Sequence, residues 1–221
     1  MRSRTTYVAY VSFRAVFIGV VLLSVFGVVG LAWKGWDAAS EYFDRDEAKA
    51  QICSTLDAAD RRDLLSTDTP KKLSNVEGAL DSYTCRWATE DFRTVPAFVE
   101  AVSAPADKWA THARSALPSL LARSDANTAS RLRKAADNAT TSADGCRFAK
   151  LLFQATGARQ GSNRLVAPVA TSVTGAPAML AQSCVDGTYA AVLVTAPGLK
   201  LDQSLARKTA GALRKVEDQL G

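Results

Sequence analysis

Four cysteines carry the plainest chemistry in the chain: Cys53, Cys85, Cys146 and Cys184, with gaps of 32, 61 and 38 residues. A zinc site is usually announced by a C-x2-C pair with histidine or further cysteine ligands. Here no two cysteines are that close, and the one histidine, His112, is far from all of them in sequence. Redox catalysis would show C-x-x-C, or a thiol whose pKa is lowered by a neighbouring cation. Arg86 and Arg147 each follow a cysteine, but adjacency along the chain does not bring a guanidinium to a sulfur. An even set of cysteines, all on one side of a long apolar run, is the pattern of a disulfide framework in an oxidising compartment. Of the three possible connectivities, Cys53 with Cys85 and Cys146 with Cys184 is favoured, because each bridge then closes one half of the chain beyond the run.

Other catalytic patterns are missing. The sequence has no G-x-S-x-G elbow, no H-E-x-x-H and no Walker loop; its nearest glycine cluster, Gly157 and Gly161 in "GARQGS", lacks the Lys-Ser/Thr ending. His112 in "WATHAR" has no evident nucleophile or orienting carboxylate and reads as a helix residue. Paired carboxylates of the glycosidase kind meet only in the fold. Glu90 and Asp91 are the pair to inspect, with a solvated turn as the ordinary expectation. Trp87 beside a bridged cysteine is expected in the core, and the Asn138-Ala139-Thr140 sequon is a chance match. No catalytic, metal-binding or cofactor-binding residue is therefore assigned.

These cysteines must be positioned on the correct side of "FIGVVLLSVFGVVGLAW". Between Arg14 and Lys34 lie 19 uncharged residues, which as a helix span roughly 28 Å, close to the hydrocarbon thickness of a bilayer. A cleaved signal has a shorter core, about 7 to 15 residues, and a small-residue cleavage site; Gly30 and Ala32 before Trp33 make a poor one. The pattern predicts a retained transmembrane helix over residues 15–33 that contacts membrane lipid, with Trp33 and Trp36 at the interface. Arg2, Arg4 and Arg14, without an acidic residue, keep segment 1–14 in the cytoplasm. Residues 34–51 form a charged stalk, and residues 52–221 an extracytoplasmic domain.

Four of the 27 basic residues and none of the 22 acidic ones fall in residues 1–34, so the formal +5 drops to +1 beyond them. A nucleic-acid reader would need a basic stripe with interleaved aromatics, so nucleic acid is not an expected partner.

Periodicity and punctuation supply the elements. Asp57 caps a short helix containing Leu64 and Leu65. "TDTPKKLSN" reads as a loop, and "SYTCRWAT" as a strand turning Cys85 and Trp87 to one face. From Val95 to about Ala139 the alanine-rich chain reads as several helices divided by Pro96, Pro105 and Pro118, with Trp109, Leu117, Leu120 and Leu121 as a buried stripe. Residues 124–145, polar apart from Leu132, read as a linker between two lobes. A helix fits 146–157, with Phe148, Leu151 and Leu152 inward and Gly157 as its cap. Strands fit 165–173 and 188–196, the second after an Asp186-Gly187 turn. A final helix fits 202–219, lined by Leu205, Thr209, Leu213, Val216 and Leu220. The fold class is α+β: a transmembrane helix, then a disulfide-braced, helix-rich domain with a small antiparallel sheet.

"CSTL" from Cys53, followed by "DAADRRDLL" and then Cys85-Arg-Trp, resembles the pattern of small actinobacterial envelope lipoproteins of uncharacterised function, over about residues 52–90. In those proteins one cysteine opens a short helix and a second precedes a tryptophan on a strand. This chain departs at its start: Cys53 lies some 20 residues beyond the apolar run, and Ala50-Gln51-Ile52-Cys53 is not a lipobox, so the transmembrane helix would replace the lipid. The expected role is a non-catalytic, membrane-anchored binding or interaction protein of the bacterial envelope, with an unknown envelope ligand or protein partner. The alternatives are an envelope hydrolase whose carboxylates meet in the fold, and an accessory subunit of a membrane complex.

Overall fold

The computed structural model describes residues 52–65, 71–78, 82–88, 97–121, 124–170 and 176–220. The expected cytoplasmic segment, transmembrane helix and stalk, with the Glu90-Asp91 pair, lie outside the described residues. Among the described residues no helix is long and apolar enough to cross a membrane.

In chain order the elements are α1 (Ala58–Leu65), β1 (Lys71–Gly78), β2 (Ser82–Ala88), β3 (Phe98–Pro105), α2 (Ala106–Leu121), α3 (Ala126–Asp137), α4 (Ser142–Ala155), β4 (Arg164–Ala170), β5 (Pro177–Val185), β6 (Thr188–Thr195) and α5 (Gln203–Leu220). The architecture is α+β. The described strands form one six-stranded sheet in the order β1-β2-β3-β6-β5-β4, antiparallel throughout. Two three-strand meanders thus meet along β3 and β6. The sheet was expected to be small, yet it organises the domain, with helices on both faces.

β3, "FVEAVSAP", falls in the stretch read as helical. It is a central strand, buried at every position between its ends. Alanine favours helix, but propensity yields to tertiary context, and a run that is largely apolar on both faces is what a strand covered on both sides requires. Pro105 ends it, and Ala106 opens α2. Pro118 lies inside α2; it forfeits the bond to the Arg114 carbonyl, and the helix ends three residues later. "KKLSN", read as loop, opens edge strand β1, "KKLSNVEG"; the strand lacks alternation and is held by its ladder to β2. No element was expected over β5, another run buried on both faces.

Residues 124–145, the expected linker, carry α3 and the first turn of α4. Asp125 caps α3 by accepting from the Thr128 N–H at 2.9 Å, and Thr141 caps α4. Leu132 and Ala136 are buried in the same apolar cluster as Trp109, Phe148 and Tyr189. Trp109 stacks on Tyr189 with centroids 4.4 Å apart. Leu117 and Leu121 are buried as expected.

The opposite face is closed by α1 and α5, where Ile52, Leu56, Trp87, Val192, Leu213 and Val216 form a second cluster. Leu205, Thr209, Leu213 and Val216 are buried, as the helical stripe predicted. Lys208 with Asp63 and Lys215 with Asp60, each at 2.6 Å, tie α5 to α1 at the surface. The Asp186-Gly187 turn joins β5 to β6 with φ of 47° and 83°, the left-handed pair of a tight hairpin.

Candidate functional site

The two disulfides join the expected partners. Cys53, just ahead of α1, is bonded to Cys85 in β2, and Cys146 in α4 to Cys184 in β5. Each bridge fastens the helical segment that precedes a meander to that meander's middle strand. Cys85 aligns across the sheet with Ala101, Val192 and Ala181, whereas Cys184 aligns with Tyr189 and Ala104. Those rows are three residues apart, so the sulfurs lie on opposite faces. A rotation exchanging β3 with β6 in an antiparallel sheet would keep each face on its own side, so the two halves are not rotational copies. Cys85-Arg-Trp sits on a strand and Cys146-Arg-Phe on a helix; the matched tripeptides are unrelated in structure.

Among the described residues, Glu100 in the centre of β3 is the buried acid. It faces Arg86 of β2 across the ladder, and its Oε2 takes both the Nε–H and an Nη2 contact from that guanidinium. Glu100 is 0% exposed and the Arg86 side chain 24%. Arg86 also lies over the Phe98 ring, 4.8 Å from its centroid. Glu100 Oε1 has no hydrogen-bond partner among the described residues. Burial raises the Glu100 pKa, and Arg86 opposes that shift without cancelling it. On β6 the neighbour is Leu193, which offers no polar group. The sequence signal was available, a lone glutamate in an apolar run, but only the strand register identifies its arginine.

His112 stands half-buried on α2, and burial lowers its pKa. No carboxylate or nucleophile contacts its ring among the described residues, so no triad forms around it. Tyr189 donates to Gln182 Oε1 at 2.9 Å, and its burial holds the phenol far above the ordinary range, so it serves as a neutral donor. Among the described residues no cluster of His, Cys, Asp and Glu could hold a metal ion.

Two of the open grooves among the described residues bear on binding. One, of about 530 Å³, lies where α1 meets the start of α5 and is floored by Leu64, Leu65 and Leu205. Its charges are largely engaged: Lys208 pairs with Asp63, and Asp202 accepts from the Leu205 N–H at 2.8 Å. The other, of about 770 Å³, runs beside α3 and is lined by Ser124, Ser130, Arg133, Lys134, Asp137 and Asn138 above Leu121, Ala126 and Ala129. Sequence reading missed it because its walls come from the end of α2 and one side of α3. No family model, no curated protein and no solved structure matches the chain.

Proposed function

We propose that the chain is a single-pass membrane protein whose N-terminus is cytoplasmic and whose disulfide-braced domain acts outside the cytoplasm as a binding or interaction module of the bacterial envelope. The observation carrying this reading is the pair of disulfides that use all four cysteines. Such bridges persist in oxidising compartments and are kept reduced in the cytosol. All four cysteines follow the apolar run over residues 15–33, and the arginines precede it, the arrangement of a signal anchor with its positive flank inside. The groove beside α3, with mixed polar and cationic walls, supports binding as the role. The resemblance to envelope lipoproteins agrees with that location, with the helix in place of the lipid.

Peptide mapping tests the reading: protein is taken directly from membranes with free thiols blocked before lysis. Cys53 linked to Cys85 and Cys146 linked to Cys184 is the expected result. Four free thiols would overturn the topology.

A further inference from the structure

The near-neutral charge beyond the apolar run conceals a strong segregation. Helices α2, α3 and α4 with the α3 cap hold seven Lys and Arg against four Asp, a formal +3, so the remainder of the chain after residue 34 carries −2. Three of the four acids are committed locally. Asp125 caps α3, Asp107 accepts from the Ser142 hydroxyl at 2.8 Å, and Asp144 takes Thr141 at 2.6 Å as well as Arg147. Arg114 is spent on the Ala136 carbonyl. Arg131, Arg133 and Lys134 are exposed on α3 and make no hydrogen bond or ion pair among the described residues. Arg133 and Lys134 stand on the wall of the 770 Å³ groove, beside Ser124, Ser130, Asp137 and Asn138.

We infer that this groove is the docking surface for an acidic polysaccharide of the cell envelope, its anionic groups held by Arg133 and Lys134. The inference deepens the extracytoplasmic binding role proposed above and rests on it for the identity of the partner. Cations supply the attraction for carboxylate or phosphate groups, while Asp137, Asn138 and the two serines offer the acceptors and donors that sugar hydroxyls require. An anionic membrane fits less well. Interfacial binding inserts exposed apolar side chains, and among the described residues the exposed large hydrophobic is Leu201, next to the other groove. Nucleic acid fits less well again, since stacking needs accessible aromatics and Trp109, the tryptophan of this layer, is 1% exposed.

The test uses the full chain in uncharged detergent and fluorescently labelled polygalacturonate oligomers, followed by polarisation at low salt. The wild type is expected to bind polygalacturonate and not neutral dextran. Arg133→Glu with Lys134→Glu is expected to weaken binding about tenfold or more. Arg207→Glu with Arg214→Glu, exposed positions on α5, should leave it within about twofold. Lys134→Ala, with a smaller loss, decides the matter should the double reversal fail to fold. Equal loss in the α5 variant, equal binding of dextran, or binding confined to phosphatidylglycerol vesicles or duplex DNA would each overturn the assignment. Because this assay is blind to topology and the thiol map is blind to ligand, failure of one is distinguishable from failure of the other.

Discussion

Arg86 and Glu100 oppose each other across β2 and β3, the carboxylate sealed from solvent and the guanidinium partly open to it. A carboxylate buried with one oxygen unpartnered is costly when ionised, even beside an arginine.

That cost has a sign. The folded-state pKa of Glu100 is raised above its ordinary 4.5, burial being the larger cause. Its contribution to stability is therefore full below about 4.5 and is lost as pH rises through the raised value. Glu100→Gln removes the titration. The melting temperature of the wild type minus that of the variant should increase as pH falls from 7 towards 5, read by scanning calorimetry. A difference that stays flat across that interval would show that Glu100 does not titrate as its burial requires.

Removing one bridge at a time, as Cys53→Ala with Cys85→Ala or Cys146→Ala with Cys184→Ala, should cost about 3 to 4 kcal/mol each, given loops of this length. The sulfurs lie on opposite faces and share no helix, so the two losses should be close to additive. Guanidinium unfolding of the singly and doubly opened proteins measures both. Strong non-additivity would mean that the two faces of the sheet are coupled.

Gly145 touches the start of α2. A Cβ there would stand 2.3 Å from the carbonyl carbon and oxygen of Ala106, and backbone cannot yield as a side chain can. Gly145→Ala should destabilise by about 1 to 3 kcal/mol. Gly211 in α5 is the counter-case, with only the end of the Arg214 side chain at 4.0 Å. Gly211→Ala should stabilise by about 0.5 to 1 kcal/mol through helix propensity. Urea denaturation of the two variants would refute this account if the signs agreed.

Tyr189→Phe deletes the donor to Gln182 Oε1 while keeping the ring stacked on Trp109. Gln182 is 3% exposed, so its oxygen loses a partner where water cannot replace it. The expected cost is about 1 to 3 kcal/mol. A loss within the error of the unfolding curve would mean that water reaches Gln182.

Local signals were sufficient wherever one short segment carried its own reason to fold. The α5 stripe, the Asp186-Gly187 turn, the strand around Cys85 and the helix after Cys146 could all be read from period and punctuation, and the spacing of four cysteines was enough to favour the pairing that forms. β3 and β5 were not legible, because a strand covered on both faces shows no alternation and its alanines and serines also suit a helix. α3 was hidden by its surface, where polar residues outnumber the few that it buries. Register alone set Arg86 against Glu100, 14 positions further along the chain, and the sequence does not convert that separation into an alignment. The groove beside α3 and its surplus of charge belong to the tertiary structure for the same reason. Net charge is a sum over the chain, whereas the field at a surface depends on which residues packing brings to one side and which acids the helix caps have already engaged.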